Sequence, residues 1–177
     1  MIYLINTLTI FRAVIGLAIF YLIQFDFFLL SLLLFFVASI TDYFDGYFAR
    51  RYNVTSVFGE ILDPIADKIL ITFLLIALCI SLNSILIGIC TSIIISRELL
   101  ISALRDFNSR KANSNATKVS YLAKIKTTIQ LLTILCYLIG LASKNNLLIV
   151  ISDFILIIAT IITIFTGFQY LVNTFKK

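Results

Sequence analysis

The sequence contains no histidine and a single proline, and only 13% of its 177 residues are charged. Without histidine, the chain has no imidazole to act as a general acid or base, as a phosphoryl carrier or as a metal ligand. A bound metal would be held mainly by carboxylates, which favour hard ions such as Mg²⁺ or Mn²⁺. The three cysteines lie singly in apolar runs without CxxC spacing, so we interpret them as packing residues.

Hydrophobic residues make up 61% of the chain, whereas a soluble domain is roughly half apolar and about a quarter charged. The surplus apolar surface has no place in water, so we predict one membrane domain that covers residues 1–177 without a soluble appendage. The net charge is +5, but no basic stretch is interleaved with polar surface or exposed aromatic residues. A nucleic-acid partner is therefore not expected.

Long apolar segments dominate the chain. A membrane-spanning helix needs roughly 20 largely apolar residues, and six segments qualify, at about 7–24, 28–48, 61–80, 82–102, 120–141 and 147–172. We therefore predict an all-α membrane protein with six transmembrane helices. With an even number of spans, nearly all Lys and Arg residues of the loops and termini fall on the side of the two termini, and Lys144 falls opposite. The positive-inside rule makes the basic side, with both termini, cytoplasmic.

Four aspartates lie near the predicted cytoplasmic ends of the second and third spans. Asp42 and Asp45 are three residues apart, and Asp63 and Asp67 are four apart, so each pair shares a helix face. These carboxylates could be interfacial charges paired with nearby basic residues, yet four clustered carboxylates without a ligand would repel one another. Two adjacent antiparallel helices could instead aim both pairs into one cavity that holds divalent ions, and two-metal sites suit displacement at phosphorus.

The stretch around these aspartates reads D-x2-D-G-x2-A-R-x8-G-x3-D-x3-D, with fixed positions at Asp42, Asp45, Gly46, Ala49, Arg50, Gly59, Asp63 and Asp67. This pattern resembles the signature of the CDP-alcohol phosphatidyltransferases, and the chain length and the six predicted spans are similar too. The resemblance implies that the four aspartates hold two Mg²⁺ or Mn²⁺ ions, that Asp67 doubles as general base, and that the protein is a homodimer. It further implies that the CDP-lipid is contacted by Asp42, Gly46, Arg50 and Ser56.

Basic residues recur on the cytoplasmic side of the second half of the chain. Arg97 lies near the end of the fourth span, Arg105 follows about two helical turns later in the loop after that span, and Lys124 and Lys126 open the fifth. They could form a cationic pocket beside the metal site, which suits an acceptor that carries phosphate. The alternative is positive-inside bias with snorkelling side chains. That alternative fits Arg97 least, because this residue lies next to Glu98 inside an apolar helix.

The same half resembles the phosphatidylglycerophosphate synthase branch of the family, in the Arg97-Glu98 pair, in D-P-x-A-D-K at 63–68 and in K-x-K-T at 124–127. That resemblance implies transfer of the phosphatidyl group of CDP-diacylglycerol to sn-glycerol 3-phosphate, at the cytoplasmic face of a bacterial inner membrane. The metals would bridge the pyrophosphate, and Asp67 would take the proton of the attacking hydroxyl. The products would be phosphatidylglycerol phosphate and CMP.

Other interpretations remain open. The cardiolipin synthase branch, whose acceptor is phosphatidylglycerol, shares the D-P-x-A-D-K context. An ion-coupled transporter could use intramembrane aspartates, although its charges would be expected near the bilayer midplane or in repeated halves. A structural membrane subunit would explain the hydrophobicity but not the aspartates. Asp153, early in the sixth span, receives no role from the sequence.

Overall fold

The computed structural model describes the backbone of residues 2–52, 57–110 and 121–175, and the side chains of residues 10–41, 62, 65–110, 122 and 125–175. The described backbone forms six helices, α1 (Ile2–Gln24), α2 (Phe28–Tyr52), α3 (Val57–Ser81), α4 (Ile85–Arg110), α5 (Tyr121–Ala142) and α6 (Asn146–Phe175). The prediction of an all-α fold is confirmed. Helix α4 ends at Arg110, beyond the predicted span 82–102, and its 26 residues exceed the roughly 20 that cross a membrane.

The helices differ in how much apolar length they offer to a membrane. Among the described residues, three segments are long and apolar enough to span one: Ile85–Arg110, Ile125–Ala142 and Asn146–Phe175. Helices α1 and α2 supply the shorter apolar stretches Ile10–Gln24 and Phe28–Thr41. The outward face of α6 is apolar, with Phe165 and Phe168 largely exposed, as a lipid-facing helix requires. Six full spans and their orientation stay predictions.

Three turns of one construction join neighbouring helices. The turns cover residues 25–27, 82–84 and 143–145, and the middle residue of each is left-handed: Asp26 (φ 62°), Asn83 (φ 46°) and Lys144 (φ 53°). The N–H that follows each left-handed residue donates to a carbonyl five residues earlier, at 2.9–3.2 Å. This is the Schellman pattern, which satisfies helix-end carbonyls. The turns pair α1 with α2, α3 with α4 and α5 with α6.

Helix α3 is the centre of the bundle. It packs against α1, α4 and α5, while α6 packs against α4 and α5, and α2 packs against α1 and α5. Leu74, Leu75 and Leu78 of α3 are fully buried in this core. Helix α1 approaches α3 closely because a Cβ at Gly16 would lie only 3.2 Å from the Cα of Leu70. One helical turn before Gly16, α1 presents Arg12.

Candidate active site

Arg12 of α1 and Asp67 of α3 form an ion pair. The Arg12 Nη1 donates to the Asp67 Oδ1 at 2.8 Å, with the arginine 1% exposed and the aspartate 45% exposed. A buried guanidinium inside an apolar helix needs a counter-ion, since an uncompensated charge there is costly. The pair therefore fixes one oxygen of a carboxylate whose remaining surface is accessible.

Asp67 lies at the junction of two cavities. The larger, about 420 Å³, lies between α3, α4, α5 and α6, and the smaller, about 120 Å³, reaches from α3 to Ala38 and Ser39 of α2. Arg12 lines the smaller cavity beside Asp67. Since one carboxylate borders both spaces, groups bound in the two cavities would meet at Asp67.

The larger cavity has a predominantly basic polar lining. Among the described residues, its lining holds four basic side chains and two acidic ones: Lys68, Arg97, Arg105 and Lys126, and Asp67 and Glu98. Three residues that the sequence analysis assigned to an acceptor phosphate, Arg97, Arg105 and Lys126, thus line one space together with Asp67. This space has the size and the charge for a small anionic molecule.

Arg97 is built into the wall of this cavity. Its Nη1 donates to Glu98 at 3.1 Å and its Nη2 donates to Thr166 Oγ1 at 3.0 Å. Its guanidinium carbon lies 5.6 Å from the ring centroid of Tyr170, within the range of a cation–π contact. Gly167 leaves room for the stem, because a Cβ at that position would lie 3.0 Å from the Arg97 Cγ. Arg97 is 8% exposed, so its position is set by α6.

Glu98 joins α4 to α5. Its Oε1 accepts from the Nζ of Lys126, which is 4% exposed, and from Arg97. One carboxylate oxygen is thus shared by two cations. On the α3 side, the Nζ of Lys68 donates to Ser102 Oγ at 2.5 Å, and that hydroxyl donates to the Glu98 carbonyl at 2.8 Å. These contacts tie three helices around the cavity.

Most residues predicted to bind the metals or the CDP-lipid have side chains outside the described part of the chain. The side chains of Asp42, Asp45, Gly46, Arg50, Asp63 and Lys124 lie outside the described residues, and Ser56 lies outside the described backbone. Among the described side chains, no three metal-ligating residues come together, and Asp67 is the one predicted ligand described there. Asp42 follows Ala38 by four residues in α2, and Asp63 precedes Asp67 by four in α3. The helix segments that carry Asp42 and Asp63 therefore lie next to the smaller cavity, which Ala38 and Asp67 line. Carboxylates are ligands that fit a hard divalent ion.

Asp153 receives a partner outside the two cavities. The hydroxyl of Tyr137, a fully buried residue of α5, donates to the Asp153 Oδ1 at 2.5 Å. The pair bridges α5 and α6, and neither residue lines the two cavities beside Asp67. Asp153 is thus a helix-packing residue.

Arg12, Lys68 and Glu98 received no site role from the sequence pattern. Each carried a visible signal, since a charged residue within an apolar helix needs a partner. Tyr170 and Thr166 were missed too, because a tyrosine and a threonine in an apolar helix give no such signal. Only the packing of α6 on α4 brings them to Arg97.

The chain is similar in sequence to proteins of a known family. The family model described as CDP-alcohol phosphatidyltransferase matches residues 2–167. A Rickettsia bellii protein is 41% identical over 143 residues, which cover 80% of this chain and 77% of that one. A Haemophilus influenzae protein is 38% identical over 143 residues, with 80% and 75% covered. A Wigglesworthia glossinidia brevipalpis protein is 35% identical over 166 residues, with 92% and 90% covered. All three are named CDP-diacylglycerol–glycerol-3-phosphate 3-phosphatidyltransferase.

Proposed function

Because this chain belongs to the CDP-alcohol phosphatidyltransferase family, we propose that it transfers the phosphatidyl group of CDP-diacylglycerol to sn-glycerol 3-phosphate and releases CMP. The observation that carries the choice of acceptor is the cavity beside Asp67, whose described lining has four basic and two acidic residues. A phosphate monoester brings about 1.5 to 2 negative charges at neutral pH, whereas serine and inositol bring no phosphate. The names of the Rickettsia bellii and Haemophilus influenzae relatives also give glycerol 3-phosphate as the acceptor.

Asp67 is the general base in this proposal. A hydroxyl oxygen of glycerol 3-phosphate forms a bond to the phosphatidyl phosphorus, the bond from that phosphorus to the CMP oxygen breaks, and the hydroxyl proton passes to Asp67. Arg12 orients the carboxylate by holding its Oδ1. The cationic cavity holds the acceptor's phosphate and so keeps its hydroxyl next to the base.

Donor and metal binding are proposed for the aspartate segments of α2 and α3. Mg²⁺ or Mn²⁺, as two ions, would be held by Asp42, Asp45, Asp63 and Asp67, and the CDP-lipid by Asp42, Gly46, Arg50 and Ser56. When bound, the ions would stabilise the charge on the departing CMP. Support comes from the backbone register next to the smaller cavity and from the carboxylate donor set, which suits hard ions.

The proposal includes the setting of the enzyme. We place the single domain of residues 1–177 in a bacterial inner membrane as a homodimer, with six spans, cytoplasmic termini and the active site facing the cytoplasm. The basic residues near the predicted cytoplasmic ends of the helices support this orientation. The acyl chains of the donor would then stay in the bilayer while its head group enters the site.

The test is CMP release by the purified protein in detergent, with labelled CDP-diacylglycerol and Mg²⁺, with and without glycerol 3-phosphate. We expect release that depends on the acceptor and is lost in Asp67→Asn. Asp106→Asn is the matched control, because Asp106 is an exposed α4 carboxylate paired with Arg110 on the surface. Acceptor-independent release, or full activity in Asp67→Asn, would refute the proposal.

A further inference from the structure

The four cations of the larger cavity are not equivalent. Both Nη atoms of Arg97 donate to protein oxygens, and the ammonium of Lys126 is held by Glu98. Both residues are more than nine-tenths buried. Their two positive charges are therefore half balanced by the one carboxylate that they share, and the Lys126 ammonium and both Nη atoms of Arg97 are held at the wall of the cavity.

Arg105 and Lys68 are in a different state. Among the described residues Arg105 makes no hydrogen bond, and its Nε is buried without a partner. The Nζ of Lys68 has one partner there, Ser102 Oγ, although an ammonium has three donors. A buried donor without an acceptor is costly, and the Arg97 Nε is also a buried donor without a partner. Because no described carboxylate contacts Arg105 or Lys68, their side of the cavity is the one built to receive an anionic group.

Charge favours a phosphate monoester as the ligand. Arg105 and Lys68 bring two positive charges that no described carboxylate contacts, Arg97 and Lys126 leave one more beyond the charge of Glu98, and a phosphate monoester brings about 1.5 to 2 negative charges at neutral pH. A phosphodiester, such as the head group of a phospholipid, brings one. Glu98 sets this balance, because without its charge all four cations would face the ligand.

We propose that Lys68 and Arg105 are the residues that contact the acceptor's phosphate, and that Glu98 is a positioning residue that reserves Arg97 and Lys126 for the wall. This inference rests on the proposed function and goes beyond it. It adds Lys68 to the acceptor site, and it gives two of the basic residues assigned from the sequence a supporting role.

The first experiment measures both Michaelis constants in Lys68→Gln, Lys68→Arg and Lys144→Gln. We expect Lys68→Gln to raise KM for glycerol 3-phosphate roughly ten- to a hundredfold, as the loss of one charge-assisted contact implies, with KM for CDP-diacylglycerol unchanged. Lys68→Arg keeps the charge and should restore most of the affinity. Lys144→Gln removes an equal charge from the α5–α6 turn and should change neither constant. An unchanged KM for glycerol 3-phosphate in Lys68→Gln, or an equal rise in both constants, would overturn the inference.

The second experiment uses inorganic phosphate as the probe of Glu98. Releasing Arg97 and Lys126 should make the cavity a stronger anion trap, so Glu98→Gln should be inhibited by phosphate at several-fold lower concentration than the parent. If Glu98→Gln is inactive, the rise in Tm with added phosphate replaces the inhibition constant and should be larger than in the parent. An equal or weaker response to phosphate would contradict the assigned role. The Tm measurement also separates the two proposals. If phosphate raises the Tm of the parent more than that of Lys68→Gln, but the parent does not use glycerol 3-phosphate, the anion site stands and the proposed function fails.

Discussion

Arg12 reaches from α1 to Asp67 on α3, and their 2.8 Å ion pair buries the guanidinium almost completely while leaving the carboxylate 45% exposed. The arrangement is asymmetric. The arginine is enclosed and pairs with the aspartate, whereas the aspartate keeps access to both cavities. A charge in the first helix thus positions the residue proposed as the base.

The first prediction concerns this positioning. Arg12→Gln should lower kcat roughly ten- to a hundredfold, about 1.4–2.7 kcal/mol in the barrier, because the carboxylate loses the contact that orients it. KM for glycerol 3-phosphate should change little, since Arg12 does not line the larger cavity. Steady-state kinetics on the purified protein measure both. Arg110→Gln removes a guanidinium from the exposed Asp106 pair and serves as the control. A fall in kcat shared by the two variants would speak against a positioning role.

The second prediction uses the asymmetry of the same pair. Asp67→Asn should destabilise the protein by about 3 kcal/mol, because a buried guanidinium loses the carboxylate that accepts from its Nη1. Arg12→Gln should cost about 1 kcal/mol or less, since water can solvate the half-exposed carboxylate that remains. Equilibrium unfolding in detergent compares the two. Equal losses of stability would mean that both ends of the pair are equally solvated.

The third prediction concerns the metals. Chelation with EDTA should abolish CMP release, and Mg²⁺ or Mn²⁺ should restore it. The reason is that the four carboxylates of the proposed site would repel one another without bound cations. Asp42→Asn, Asp45→Asn and Asp63→Asn should each lose turnover while still inserting in the membrane. Asp106→Asn should retain activity. Near-normal Mg²⁺-dependent activity in one of the three variants would remove that residue from the metal site.

The fourth prediction tests the packing behind Arg97. Gly167→Val should raise KM for glycerol 3-phosphate several-fold, because even the first added carbon would lie 3.0 Å from the Arg97 Cγ and the wall of the cavity would shift. KM for CDP-diacylglycerol serves as the internal reference. Gly88→Val is the matched control, since the Cβ there meets only the Cys79 Sγ, at 3.2 Å, outside the cavity. Similar acceptor kinetics in both variants would show that the Gly167 contact does not position Arg97.

The fifth prediction concerns Asp153. Tyr137→Phe should lower stability by about 0.6 kcal/mol, the average for hydrogen bonds between membrane helices, and by no more than about 1.7 kcal/mol. Both Michaelis constants should stay unchanged. Thermal unfolding and kinetics of the same preparation test this. Tyr21→Phe, at an exposed position of α1, controls for loss of a hydroxyl. A kinetic defect in Tyr137→Phe without a loss of stability would give Asp153 a functional role.

The sequence predicts the helices well because their apolar length is a local property. It predicts less about contacts between helices. Arg12 and Asp67 are 55 residues apart, and only the close α1–α3 packing at Gly16 brings them together. Helix ends differ for a related reason: hydropathy marks where the apolar segment stops, while α4 continues as a helix to Arg110.

Three of the four basic residues in the described lining of the cationic cavity, Arg97, Arg105 and Lys126, could be predicted, but Lys68 and the separate roles of the four could not. Arg97, Arg105 and Lys126 share a predicted cytoplasmic position, so their grouping follows from topology. Which of them is already neutralised depends on Glu98, whose Oε1 accepts from its own neighbour in sequence and from α5. That choice is made by side-chain geometry, on which a sequence pattern gives no information.

The acceptor is tested most directly by comparing products. Purified protein with labelled CDP-diacylglycerol and Mg²⁺ is given glycerol 3-phosphate, phosphatidylglycerol, serine or inositol in separate reactions, and the labelled lipid and the CMP are quantified. The account predicts equal amounts of phosphatidylglycerol phosphate and CMP with glycerol 3-phosphate, and little product with the other three. Formation of cardiolipin from phosphatidylglycerol, with no product from glycerol 3-phosphate, would contradict it.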